Sequence, residues 1–239
     1  MAELNVLNGR NMIFYILLFF SNNRILGDIV CLQEVGIDYE PFLTAEMGHM
    51  GYTSVFYPKE MGTMEGLATF WKRDKFEMVE VRKLSYNAML AEECVKRGID
   101  PEVLGGERPH VFLVTKLLHL ATNKIITLGN IHTVWDNFSQ LDVTTLQVSL
   151  SLSRLSAVAQ DSPFILAGDF NSRQNMAPYY LLLTGQLSSQ HVTDLSSLTT
   201  VLHRGQSLYQ LLSHCYQHSH HDLTSSYLSV KVGTRVHLL

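Results

Sequence analysis

Cysteine is scarce in this sequence, and what there is lies scattered. Cys31, Cys94 and Cys215 are the three among 239 residues. Their spacing offers no paired metal motif and no disulfide framework, which excludes small disulfide-stapled scaffolds. A reducing compartment, the cytoplasm, is the default for such a chain, with the nucleus and mitochondrion left open. Excess charge of one sign is also missing: the net charge is −4. No global basic field exists, so a nucleic-acid partner would need a local basic patch or a metal ion. Long hydrophobic runs are absent as well. The longest, Met12 to Phe20, has nine residues, where a membrane span needs roughly 20. No stable membrane insertion is expected. Linkers and repeats are lacking, and nothing in the sequence sets the oligomeric state.

What is there is ordinary globular material, 46% hydrophobic and 17% charged, enough for one sizeable core. Residues 1–24 read as an irregular apolar segment, and 25–239 as a single domain. The Met12–Phe20 run could pass for the apolar part of a signal peptide. However, Glu3 stands against Arg10 ahead of it and no small-residue cleavage site follows. A buried strand or helix is the reading for that run, with a start altered by gene-model error or splicing as the alternative.

Strands are expected over Gly27–Val35, Gly51–Tyr57, Gly66–Lys72 and Phe76–Leu84. His110–Leu120 and Lys124–Val134 should form a hairpin. The best helix is Leu141–Ala159. Leu141, Thr145, Val148, Leu152, Leu155 and Ala159 recur at steps of four and three, with Ser139 as a cap. Further helices are expected over Pro41–Met50, Ala88–Arg97 and Pro178–Leu183. Residues 186–222, rich in Ser, Thr, Gln and His, read as loop with one helical piece, Ser207–Tyr216. Strands and helices interleave without a strict βαβ rhythm, which points to an α/β sandwich with mixed β-sheets.

Three apolar strands end in polar residues. Asp28-Ile29-Val30-Cys31-Leu32-Gln33-Glu34-Val35 ends in a carboxylate. Ile125-Ile126-Thr127-Leu128-Gly129-Asn130-Ile131-His132 ends in Asn and His. Pro163-Phe164-Ile165-Leu166-Ala167-Gly168-Asp169-Phe170-Asn171-Ser172 ends in Asp and Asn. Such strand exits are where open layered sheets keep ligands. Gathered carboxylates raise each other's pKa unless a cation separates them. Glu34 and Asp169 as oxygen donors suit Mg²⁺, with Mn²⁺ as the alternative. Asn and His beside such a metal suit phosphoryl chemistry. The bland readings are a solvated strand-end charge for Glu34, a hydrogen-bonded core histidine for His132 and an Asx turn for Asp169. Trp135 and Phe138 either stack a base or pack. His218-Ser219-His220-His221-Asp222 reads as a surface histidine run, with metal ligation as the alternative.

Taken together, Leu32-Gln33-Glu34-Val35, Gly129-Asn130-Ile131-His132 and Gly168-Asp169-Phe170-Asn171-Ser172 resemble the endonuclease/exonuclease/phosphatase superfamily. Glu65-Gly66-Leu67-Ala68-Thr69-Phe70-Trp71-Lys72, Gln147 and Asp222-Leu223-Thr224-Ser225-Ser226-Tyr227 make the chain similar to its deadenylase-like branch. That branch comprises carbon-catabolite-repression-type deadenylases, nocturnin, the angel proteins and 2′,5′-phosphodiesterase. The resemblance implies a four-layer α/β sandwich and Mg²⁺-dependent cleavage of phosphodiesters at RNA 3′ ends or in oligoadenylate. It implies Glu34 as metal ligand and Asp169 as the acid/base or water-orienting carboxylate. Asn171 and His132 would contact the scissile phosphate, with Asn130 beside that His. Glu65 would lie toward the nucleotide. Trp135, from its place just after His132 and not from the resemblance, is a further candidate substrate contact.

Two departures from the family pattern stand out. The family has an Asn on its first strand, for which Asn5 is the candidate here. Its closing Asp-Tyr-Ile strand and Ser-Asp-His motif are missing from the sequence, so the expectation is a chain altered at its start, truncated at its end and inactive or nearly so. A non-catalytic RNA- or protein-binding adaptor is the rival reading. A phosphatase or phosphodiesterase acting on a phosphoinositide or sphingolipid is the second, since one fold hosts many activities.

Overall fold

Strand β3 (Glu65–Lys72) alternates its side chains between two different cores, and this organises the molecule. Ala68 and Phe70 point one way, into a cluster with Leu43, Met47 and Tyr52. Leu67 and Trp71 point the other way and meet Val111, Leu113, Leu117 and Leu128 of a second sheet. A strand buried on both faces reads as a continuous apolar run because neither face sees water. The computed structural model describes residues 27–104, 108–135, 139–199, 202–203, 205–220 and 223–225. Asn5, the Met12–Phe20 run, Phe138, His221 and Asp222 lie outside the described residues.

The first sheet is antiparallel, with β3 between β1 (Ile29–Gly36) and β2 (Tyr52–Pro58). Helix α1 (Glu40–His49) covers its outer face, burying Leu43 and Met47. The second sheet runs β4 (Phe76–Ser85), β5 (Val111–His119), β6 (Lys124–His132) and β7 (Phe164–Asp169). The β5–β6 hairpin falls where the sequence placed it. β6 and β7 are parallel, so the second sheet is mixed. A parallel pair needs a crossover, and helix α3 (Leu141–Ala159) supplies it. On β5, Phe112 and Val114 face α3 while Val111 and Leu113 face the first sheet. The order helix, sheet, sheet, helix is the expected four-layer α/β sandwich, with one antiparallel and one mixed sheet. Losing a core side chain such as Phe112 would cost roughly 3–5 kcal/mol.

Helix α3 keeps the expected bounds but not the expected narrow stripe. From Asp142 to Leu152 every residue is buried. Its polar members are accommodated by bonds: Thr144 Oγ1 donates to the Val134 carbonyl (3.2 Å), and Ser151 Oγ meets Tyr86 Oη (2.5 Å). The N-cap falls on Gln140, not Ser139, and no side chain caps there. Helix α2 (Tyr86–Lys96) is capped by Ser85, whose hydroxyl accepts from Ala88 N–H. Helix α4 (Ala177–Thr184) ends at Gly185 in the left-handed region.

Residues 186–222 are corrected in two places. Helix α5 (Ser189–Ser197) stands where loop was expected, capped by Ser188 and anchored by fully buried Leu195. Its polar composition hid it. The expected helix over Ser207–Tyr216 breaks into α6 (Leu208–Leu211), closed by a Ser207–Gln210 capping box, and a 3₁₀ turn at Ser213–Cys215. A short β8–β9 pair (Leu202–His203, Gln206–Ser207) precedes it. No described helix is long and apolar enough to cross a membrane.

Candidate active site

β1 carries one extra residue near its end. Leu32 pairs with Ala68 and Val35 with Gly66, so two residues of β1 oppose one of β3. This is a β-bulge, a device that re-aims a side chain. Glu34 sits in the bulge with φ 55°, a left-handed conformation uncommon outside glycine. Its side chain is 54% exposed and points to the rim. Gln33 turns inward and donates from Nε2 to Asn130 Oδ1 (2.8 Å).

The parallel β6–β7 pair supplies the next groups. Register sets His132 beside Asp169. Gly168 makes that approach possible: it has φ 131°, and a Cβ there would lie 2.0 Å from the Ile131 carbonyl oxygen. Asp169 Oδ1 accepts the Asn171 N–H (2.8 Å), an Asx turn in which Asn171 takes φ 43°. Asn171 Nδ2 donates to the Thr133 carbonyl (2.8 Å), and Thr133 N–H donates to the Asp169 carbonyl (3.0 Å). These bonds lock the two strand exits together. The bland Asx-turn reading and the functional one therefore describe the same geometry.

Glu34, Glu65 and His132 converge, with one donor atom from each lying within 4.8 Å of the others. His132 Nε2 lies 3.9 Å from Glu34 Oε1. Burial holds the His132 pKa below the usual imidazole value, with the Lys59 ammonium adding to it, against the opposite pull of Asp169, Glu34 and Glu65. His132 is therefore a neutral imidazole near pH 7. Its Nδ1 is buried and has no hydrogen-bond partner among the described residues. Glu65 is paired with Lys59, whose ammonium is itself buried. Trp135 stands just beyond β6 with 68% of its surface exposed.

Asn130 is placed differently from its neighbours. It is fully buried between the sheets, and its Nδ2 donates to the Leu32 (3.2 Å) and Ala68 (3.0 Å) carbonyls. Sequence reading grouped it with His132, and the two do share a face of β6; Asn130 lies two residues further in, where the first sheet covers it. Gln147, on α3, accepts the Val134 N–H (2.8 Å) and so fixes the chain just past His132.

Two rim groups escaped the sequence reading. His110 packs edge-on to His132, ring centroids 6.1 Å apart, and burial pushes its pKa down to about 3. The hairpin register held the signal: Phe112 opposite Ile131, carried two residues on, brings His110 level with the strand exit. Lys59 carried no such signal, because its place depends on the pairing of β2 with β3.

The donor set suits a divalent cation. Two carboxylates, one of them exposed, with an imidazole beside them, match the oxygen-rich environment hard cations prefer. Glu65 has one oxygen engaged by Lys59, which leaves Glu34 as the freer carboxylate.

Known proteins resemble about seven tenths of this chain. The chain is 29% identical over 186 residues to the CCR4-Not complex 3′-5′-exoribonuclease subunit Ccr4 of Debaryomyces hansenii, covering 68% of the chain and 22% of that protein. It is 28% identical over 178 residues to the probable Ccr4 subunit of Vairimorpha ceranae, covering 69% and 37%. The chain thus spans well under half of those relatives. The human nocturnin catalytic domain with bound sulfate superposes with a TM-score of 0.58 at 20% identity, covering 70% of this chain and 59% of that one. ANGEL2, a 2′,3′-cyclic phosphatase, gives 0.59 at 23% identity, covering 76% and 48%. The last two similarities speak to fold alone. The model of the endonuclease/exonuclease/phosphatase family matches residues 4–222, and the chain belongs to that family.

Proposed function

We propose that this chain carries the catalytic frame of a metal-dependent phosphodiester hydrolase of the deadenylase-like type, acting on RNA 3′ ends or oligoadenylate. The observation that carries the reading is the convergence of Glu34, Glu65 and His132 beside Asp169 and Asn171 at one strand-end rim. The Ccr4-type relatives, exoribonuclease subunits by name, favour RNA as substrate.

In this reading Glu34 would hold Mg²⁺ or Mn²⁺, with Glu65 adjoining. When bound, the metal would polarise a phosphoryl oxygen and neutralise developing charge. Asp169 has one oxygen engaged by Asn171 N–H; the other accepts the proton of the attacking water. His132, neutral, donates a hydrogen bond from its ring to a non-bridging phosphoryl oxygen. Asn171, held in the left-handed region by its neighbours, orients the phosphate without adding negative charge. Trp135 offers an exposed ring for the terminal base to stack on. Asn130 acts through the frame, by tying Gln33 and Leu32 to the second sheet. The three unpaired thiols suit a cytoplasmic setting.

The experiment incubates the full natural-length protein with Mg²⁺ or Mn²⁺ and, separately, oligo(A), a 2′,5′-linked oligonucleotide and a phosphoinositide. Expected is metal-dependent shortening of a ribonucleotide oligomer. Cleavage of the lipid alone would move the substrate class. No cleavage of any of the three, together with no thermal shift at millimolar metal, would favour an adaptor that keeps the fold without the chemistry.

A further inference from the structure

The flank formed by α2, α3 and the Ser213–Cys215 turn gathers a second set of metal-ligating side chains. It shares no residue with the strand-end rim. Glu93 comes from the last turns of α2, and His214 and Cys215 from the 3₁₀ turn. Cys215 Sγ lies 3.2 Å from His214 Nε2 and 3.8 Å from Glu93 Oε2. His214 Nε2 lies 3.5 Å from Glu93 Oε2. A tetrahedral zinc with ordinary Zn–S, Zn–N and Zn–O bonds separates such donors by about 3.3–3.6 Å. The three edges therefore already sit within a few tenths of an ångström of that triangle.

We propose that Glu93, His214 and Cys215 form a binding site for a zinc-class divalent cation, with water as fourth ligand. The mixed sulfur, nitrogen and oxygen set selects against Mg²⁺ and Ca²⁺, which take oxygen, and suits Zn²⁺. Binding through Cys215 Sγ displaces the thiol proton to solvent, since the thiolate is the ligand.

The surroundings hold the donors in place. The two Glu93 oxygens divide their tasks: Oε1 receives the Lys96 ammonium (2.6 Å), and Oε2 faces the sulfur and the imidazole. Lys96 thus orients the carboxylate from outside, as supporting groups around metals do. Arg154 of α3 pairs with Glu92 and reaches Glu93 Oε1 (3.9 Å). The turn itself is fastened to α3: Ser149 Oγ donates to the Cys215 carbonyl and Tyr216 Oη to the Asp142 carbonyl (3.1 Å). The side chains of Glu93 and His214 remain 14% and 29% exposed, which leaves a cation and a water a way in. A cation here would clamp the turn that follows α6 onto α2, joining residues 122 apart in sequence.

The 239-residue chain, shown folded by far-ultraviolet circular dichroism, is titrated with Co²⁺ as a spectroscopic stand-in for Zn²⁺. Expected is a thiolate-to-cobalt charge-transfer band that saturates at one equivalent and is bleached by Zn²⁺. It should vanish in Cys215→Ser, weaken at least tenfold in apparent affinity in His214→Ala, and persist in Cys94→Ala. The rim site contains no thiol, so this band reports on the flank alone, whatever the outcome for RNA cleavage. A folded chain that gives no band would overturn the proposal, as would a band that survives Cys215→Ser. Should Cys215→Ser not fold, a band of unchanged affinity in folded His214→Ala would overturn it equally.

Discussion

Gln33 and Asn130, 97 residues apart, meet at 2.8 Å across the interface of the two sheets. The contact sets the inward half of the β1 bulge, and so the outward aim of Glu34 on the other half. Asn130 also holds the Leu32 and Ala68 carbonyls from a fully buried position. Replacing it by alanine leaves buried groups without partners, at a cost of about 1–3 kcal/mol per group. Asn130→Ala should lower the urea midpoint clearly with little change in slope. A midpoint within error of the parent would show that the cross-sheet amide contributes nothing net.

Glu34 is exposed and Asp169 sits at the rim, so neither charge supports the core. In an active full-length form, Glu34→Gln should reduce turnover on the order of 100-fold, the scale of losing one preorganised group at a reacting phosphate. It should also blunt the Mg²⁺ dependence. Asp169→Asn should reduce turnover similarly while far-ultraviolet circular dichroism stays that of the parent. Near-normal rates in both variants would remove these two residues from the mechanism.

Trp135 exposes most of its indole beside the rim. A base stacked on it contributes about 1–3 kcal/mol. Trp135→Ala should raise KM for oligo(A) by roughly tenfold or more, with kcat and thermal midpoint little changed. An unaltered KM would mean that the terminal base docks elsewhere.

Acid should destabilise the chain through its buried histidines. His110 has its pKa lowered from 6.5 to about 3 by burial, with Lys59, His132 and Arg108 adding to it. Above pH 6.5 both folded and unfolded forms are neutral and the group has no effect on stability. Below it the unfolded chain takes up a proton that the folded chain refuses until about pH 3, so stability falls across that window. His132 contributes in the same direction. Urea midpoints should therefore drop between pH 7 and pH 5, and His110→Gln should flatten that slope. An equally steep slope in the variant would assign the acid sensitivity to other groups.

Local pattern made much of the frame legible. The β5–β6 hairpin and the bounds of α3 follow from a turn between two apolar runs and from a three-to-four periodicity. That the strand-end polar residues come together was legible because three apolar strands close on polar groups. What stayed hidden depends on pairing across distance. Nothing near Asn130 in sequence tells that Gln33 will meet its amide, and only the overlap of the first sheet decides that His132 reaches the rim while Asn130, on the same face of β6, is covered. Helix α5 was obscured for another reason: one buried leucine and a serine cap suffice to hold it against its neighbours, too little apolar signal to stand out from a polar stretch. The Glu93–His214–Cys215 set spans two distant elements, so no ligand spacing announces it.

The bulge at Gln33–Glu34 has one more consequence, for changes in chain length. A single-residue deletion between Leu32 and Val35 would let β1 pair with β3 in unbroken register, and the strand itself would be more regular for it. Yet the shortened strand would have one residue where two now diverge, and it could not send an amide inward and a carboxylate outward at the same level. Loss of one codon there would thus leave the sheet paired while removing either the Gln33–Asn130 bond or the Glu34 carboxylate, and on the proposed reading it would disable the rim. If the proposed chemistry holds, relatives that have abandoned it could be recognised by a missing residue as readily as by a missing glutamate.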